Sequence, residues 1–248
     1  MKKSIYYILF FLILSFQLFA EVSNSGNKSI EKREQFHNLF FGPEFLYSHF
    51  RVEEDFRKFS SNGFYGGLRV RYEYLKPWIF YYGNDLFASY GNSNSKLSFA
   101  DTEVMNVWET GGFGNIDVRL GYPFVNRATF VPYLGLGEYF NFKIGSGRIV
   151  HIEYFYISGG YRFRYEISPK FRIGQDSKFF NVISATLKDN FSKIRYHETD
   201  FWGCEITLPF IWLFTKNWSF QFEPYFLKLN FSSTENLYGG RLLFGYHF

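Results

Sequence analysis

LYGGRLLFGYHF, residues Leu237–Phe248, closes the chain. Taken alternately, Tyr238, Gly240, Leu242, Phe244, Tyr246 and Phe248 form one face. Leu237, Gly239, Arg241, Leu243, Gly245 and His247 form the other. Period-two alternation of this length is a strand pattern. A greasy face set against small and charged residues fits a membrane barrel strand, apolar toward lipid and small or charged toward the lumen. One strand of a soluble sandwich would read the same way, so the opposite end of the chain has to separate the two.

Residues 1–20 carry Lys2-Lys3, then the apolar run Ile5–Phe16, then Gln17-Leu18-Phe19-Ala20 ahead of Glu21. A basic start, a short apolar core and a small residue at the end make a secretory signal cleaved after Ala20. The apolar run falls short of the roughly 20 residues a spanning helix needs. The lone cysteine, Cys204, excludes an internal disulfide; lying between Trp202 and Ile206 it reads as a lipid-facing side chain.

Formal charge is +4, of which Lys2 and Lys3 supply two, so the exported chain is near neutral and no nucleic-acid partner is implied. Aromatic residues make up 24% of the chain, with 35 Phe and 20 Tyr, more rings than one soluble core accommodates. A barrel places them outside, in the lipid band and its girdles. No later stretch approaches a helical span, and an exported chain without one enters a membrane only as a closed sheet.

The domain reading is a signal at 1–20, a polar periplasmic arm at 21–38 and a barrel at 39–248. Ten strand-like segments follow the arm, near 39–51, 62–75, 77–90, 105–122, 127–142, 150–168, 170–184, 196–213, 217–231 and 237–248; eight strands is the alternative. Tight turns at Lys76-Pro77, Pro123–Asn126, Ser168-Pro169-Lys170 and Thr215-Lys216-Asn217 alternate with longer polar connections at Val52–Ser61, Gly91–Val104, Lys143–Ile149, Ala185–Arg195 and Ser232–Asn236. Short turns toward the periplasm and long loops outside is the habit of a transmembrane antiparallel up-and-down β-barrel.

Splitting each segment by parity places Glu44, Arg69, Arg71, Glu73, Glu109, Asp117, Arg119, Arg162, Arg164, Glu166, Glu205, Glu223 and Arg241 inside, with Asp85, Asp176, Arg172 and Lys178 beside them. Both signs occur in near-equal number, and an unpaired buried charge is costly. The expectation is therefore a ladder of Arg–carboxylate pairs filling the lumen, with Gly67, Gly160 and Gly245 leaving room for arginines. The alternative is an open pore. Asn84, Gln175 and Glu138 fall on the outward parity and break the pattern.

For chemistry the chain offers His49, His151 and His197 near the outer end, beside Glu53, Asp55, Glu153, Glu198 and Asp200, a setting for an acid/base pair. No ligand spacing indicates a metal, and no GxSxG or glycine-rich phosphate loop is present. No catalytic, metal or cofactor residue is assigned. The polar loops are where an extracellular ligand would bind.

With its signal, alternating strands and the ending Tyr246-His247-Phe248, the chain resembles the small outer-membrane β-barrel proteins of diderm bacteria over residues 39–248. The resemblance implies a cell outer-membrane location and lipid contact. It also implies recognition of the terminal aromatics, Tyr246 and Phe248, by the barrel assembly machinery. Members include structural barrels, adhesion proteins, narrow porins and a few enzymes. The ten-strand count is also similar to that of the outer-membrane protease family, which implies Asp-Asp and Asp-His pairs at the outer rim; both pairs do not map together here. The reading is a monomeric, non-enzymatic barrel with a structural or surface-interaction role. A narrow passive porin is the first alternative and a rim hydrolase or protease the second.

Overall fold

The computed structural model describes residues 37–54, 57–99, 102–145, 148–189, 193–196, 201–230 and 234–248. The proposed signal and nearly all of the proposed arm lie outside them; His37 and Asn38, placed in the arm by sequence, are the first residues of β1. The strands are β1 (His37–Glu54), β2 (Arg57–Lys76), β3 (Phe80–Phe99), β4 (Thr102–Gly121), β5 (Phe124–Val125), β6 (Ala128–Gly145), β7 (Arg148–Ser168), β8 (Phe171–Asp189), β9 (Lys193–Tyr196), β10 (Trp202–Thr207), β11 (Phe210–Leu213), β12 (Trp218–Asn230) and β13 (Thr234–His247).

Neighbours in sequence pair antiparallel, and β13 pairs with both β12 and β1, which closes the sheet. Successive pieces β10 and β11 share one wall position between β8 and β12, and β5 is a two-residue stub on β6. The result is a ten-stranded antiparallel barrel.

Alternation sorts the side chains. Leu68, Leu86, Ile116, Leu134 and Phe244 stand on the outer face and are exposed. Aromatic pairs mark both ends of this apolar belt. At the short-turn end Trp78 meets Phe124 edge-on (5.9 Å), Phe171 meets Trp212 (5.0 Å) and Trp218 meets Tyr246 (4.8 Å). At the other end Tyr47 packs on Phe64 (4.8 Å), Phe179 on Trp202 (5.8 Å) and Phe226 on Tyr238 (5.1 Å). From Trp218 to Phe226 is about the rise that carries a tilted strand across an apolar band of ~25 Å. Leu134 is the most exposed large apolar residue among the described residues, at 74%. Leu134→Arg should cost about 2–4 kcal/mol, as a charge near mid-bilayer does. The outward Asn92→Arg, above the belt, should change stability by less than about 0.5 kcal/mol. Urea unfolding in lipid vesicles measures both.

Where sequence suggested long outer loops, the chain stays in strands. β1 continues to Glu54 and β2 begins at Arg57; β3 runs to Phe99, β4 begins at Thr102, β6 reaches Gly145 and β8 reaches Asp189. These strands hold 18 to 21 residues. A spanning strand needs only about 9–11. The surplus stands as a wall beyond the membrane, while β12 and β13, with 13 and 14 residues, stop low. Beyond the lipid a strand has no apolar face to advertise. Gly91-Asn92-Ser93-Asn94-Ser95-Lys96 therefore reads as loop although it is strand, with Ser93 and Ser95 buried inward and Lys96 exposed.

At the other end the connections are tight. Trp78 takes a left-handed backbone (φ 59°), unusual for a bulky residue. It is held there by its N–H donating to Pro123 O (3.0 Å) and by its ring on Phe124. The sequence exceptions stay on the outer face. Asn84 is exposed, Glu138 is half-buried, and Gln175 donates to Tyr161 Oη (2.8 Å) and Ser177 Oγ (3.2 Å).

Candidate functional site: the charged lumen and its two mouths

Eight inward residues on seven strands form a closed circuit of alternating sign. Arg69 grips Glu44 through Nε (2.5 Å) and Nη2 (3.2 Å), and Glu44 meets Arg241 (3.3 Å). Arg241 pairs with Glu205 (2.5 Å), which faces Lys178 (3.4 Å); Lys178 reaches Asp117 (3.2 Å). Asp117 pairs with Arg119, Arg119 with Asp85 (3.5 Å), and Asp85 returns to Arg69 (2.7 Å).

A branch descends from the circuit. Arg71 holds Asp85 (3.2 Å) and grips Glu223 with both terminal nitrogens (2.9 and 3.0 Å). Below it Glu73 pairs with Arg162, Arg162 with Asp176 (3.3 Å), and Asp176 with Arg164. Circuit and branch together hold seven cations and seven carboxylates, and their net charge is zero.

Three of the residues selected by parity, Glu109, Glu166 and Arg172, lie elsewhere. Glu109 sits higher, accepting from Ser95 (2.5 Å). Glu166 is paired with Arg172 (3.6 Å) at the short-turn mouth, half-exposed.

Above the circuit lies an aromatic layer inside the barrel, whereas the sequence reading sent the aromatic residues as a class to the lipid side. Tyr65, Phe87, Phe113, Tyr139, Tyr156, Phe180 and Tyr225 all point inward and are buried. Tyr65 meets Phe113 edge-on (4.6 Å), and Tyr156 tilts on Phe180 (4.8 Å). The rings roof the cations: Arg241 Cζ lies 4.0 Å from the Tyr225 centroid, Arg69 Cζ 4.9 Å from Phe87, and Lys178 Nζ 5.2 Å from Tyr156. Such contacts strengthen when water is excluded. The cavity between the charged and aromatic layers measures about 20 Å³, room for roughly one water.

The glycines that sequence set aside for arginines border other groups, Gly67 Ser89, Gly160 Tyr133 and Gly245 Ser219 and Phe40, whereas Gly174 opens onto Arg164 and Gly203 onto a ring of the roof. A Cβ on Gly203 would lie 2.2 Å from the Phe180 ring, and one on Gly245 2.6 Å from Phe40. Higher still, polar pairs line the upper lumen: Ser48 donates to Glu235 (2.8 Å) and Lys143 to Ser61 (3.2 Å).

The outer rim holds no assembled acid/base pair among the described residues. His49 Nδ1 contacts Asn62 Oδ1 (2.6 Å) on the outer surface of the wall. His151 and Glu153, 3.7 Å apart, share the outward parity of β7, so neither faces the mouth. The side chains of Glu53, Asp55, His197, Glu198 and Asp200 lie outside the described set, and no metal-binding cluster occurs among the described residues.

At the short-turn mouth the lumen opens into a vestibule of about 530 Å³. Glu73, Arg162 and Arg164 form its ceiling, and Lys170, Arg172, Lys216 and His247 stand around its entrance. His247 bridges Asn38 Oδ1 (2.6 Å) and Ser219 Oγ (2.9 Å).

No family model and no curated protein matches the sequence. Solved structures do match in shape. The outer membrane protease OmpT from Escherichia coli superposes with a TM-score of 0.59 at 9% identity, covering 90% of this chain and 99% of that one. The translocator domain of the autotransporter NalP from Neisseria meningitidis gives 0.47 at 10% identity, covering 96% of each chain. OprG from Pseudomonas aeruginosa gives 0.41 at 11%, covering 89% of this chain and 99% of that one. Identities this low speak to the fold alone.

This is an outer-membrane barrel. Its apolar belt, twin aromatic girdles and charged interior are those of a closed sheet set in lipid. In such barrels the short turns face the periplasm, which puts the vestibule on that side and the raised wall outside.

Proposed function

We propose that the chain is a non-enzymatic, non-conducting barrel that acts as a rigid base in the membrane for the strands it raises on the extracellular side. The observation that carries this reading is the filled lumen. A charge circuit with no net charge offers a mobile ion no counter-charge, and the aromatic roof above it leaves room for about one water. Every guanidinium in the circuit is held by carboxylates, so opening a path would separate buried ion pairs, each costing several kcal/mol.

The raised wall is the surface offered to an extracellular partner, since function concentrates on the exposed parts of rigid scaffolds. The assembly machinery is the partner proposed for the terminal strand. Tyr246 and Phe248 pack edge-on (4.9 Å) at the end of β13, the strand that closes the barrel. A single barrel without edges needs no second copy, and the reading is a monomer.

Planar-bilayer recording of the refolded, signal-free protein tests this function. Silence is expected, with folding shown separately by a heat-dependent gel shift. Discrete, reproducible openings would overturn the reading in favour of a narrow porin.

A further inference from the structure

At the periplasmic vestibule the described residues leave an excess of positive charge. Circuit and branch are neutral, but at the entrance stand Lys170, Arg172 and Lys216, of which Arg172 alone has an ion pair among the described residues, to Glu166. Among the described residues neither Lys170 nor Lys216 has an ion pair. Arg172 meets Glu166 only at 3.6 Å, and its Nε is buried with no hydrogen-bond partner. A buried donor without an acceptor costs about 1–3 kcal/mol unless a ligand or water supplies one.

The same space has an apolar wall, from Leu75, Val131, Ile211 and Leu213. Its volume, about 530 Å³, lies within the range of small-molecule sites, and its lining sets apolar side chains beside cationic ones. It cannot serve as a passage, because Glu73, Arg162 and Arg164 close its inner end.

From this juxtaposition we infer that the vestibule is a binding site for an amphipathic phosphate ester presented from the periplasmic side. The phosphate sits among Lys170, Arg172 and Lys216. Arg172 Nε donates to one oxygen, and the lysines neutralise the charge as point cations. The organic part lies against Ile211, Leu213 and Leu75. The phosphate group has two sources that share this chemistry, a soluble ester in the periplasm and the headgroup of an anionic lipid in the inner leaflet. Lys170 and Lys216 sit exposed on the short turns around this mouth.

The test is ³¹P line broadening of phenyl phosphate titrated into the refolded full-length mature protein in maltoside micelles, with inorganic phosphate in parallel. Phenyl phosphate should bind more tightly than inorganic phosphate. The double variant Lys170→Gln/Lys216→Gln should weaken it by about tenfold or more. Lys96→Gln, exposed at the opposite end of the barrel, should leave it unchanged. Both lysines are exposed on turns, and the heat-dependent gel shift establishes that the variants fold.

A second arm repeats the titration in nanodiscs. Loss of phenyl phosphate binding with phosphatidylglycerol, but not with phosphatidylcholine, assigns the site to a lipid headgroup. Binding that persists in both assigns it to a soluble ester. No broadening at millimolar phenyl phosphate, or equal affinity in the double variant, overturns the proposal.

Discussion

Arg241→Met is expected to cost about 3–5 kcal/mol of folding stability, because removing one partner of a buried ion pair strands the other. Arg241 faces Glu205 at 2.5 Å, Glu44 at 3.3 Å and Glu223 at 3.7 Å, and the residue is 3% exposed. Methionine fills much of the volume and leaves these carboxylates short of a cation. Glu44 keeps Arg69, Glu205 keeps Lys178 and Glu223 keeps Arg71, which holds the cost below that of a bare buried charge. Equilibrium unfolding in urea, in lipid vesicles, measures the loss. Arg172→Met, at the half-exposed mouth, should cost under about 1 kcal/mol by the same assay. Equal costs for the two would mean that water reaches the circuit, and the filled lumen would fall with it.

Phe113→Ala carries the second large effect, again about 3–5 kcal/mol, the usual cost of emptying a phenyl site in a packed core. Phe113 is 1% exposed and packs between Tyr65 (4.6 Å) and Tyr139 (6.0 Å). The comparison is Phe64→Ala. Phe64 is the same residue type on the lipid face, 73% exposed, and its loss leaves no internal cavity. A Phe113 cost no greater than that of Phe64 would show the inner rings to be loosely packed.

How much of this was legible in the sequence depends on which solvent a strand meets. Where one face meets lipid and the other a charged lumen, as in β2 with Leu68 and Val70 against Arg69 and Arg71, alternation gives strand, face and partner type together. Three particulars were not legible. The upper strand segments meet water rather than lipid and lose the apolar face, so Ser93 and Ser95 read as loop. The inner rings Phe87, Phe113 and Phe180 share parity with Asp85, Asn115 and Lys178. An aromatic on the charged face looks like noise in a two-letter pattern, although Gly203 beside Phe180 was a clue that a ring needed space. Finally, parity places Glu109 and Glu166 in the lumen but is silent about height, and height is what separates them from the circuit.

The circuit also bears on how the barrel can close. Its contact between Glu44 and Arg241 joins the first wall strand to the last. Until β13 arrives, Glu44, Glu205 and Glu223 each lack one cation, and a partly built sheet would present those deficits to lipid. Insertion ahead of closure is therefore penalised by the very groups that stabilise the finished barrel. The same alternating charges that hold the finished barrel thus disfavour exposing an unclosed one to lipid.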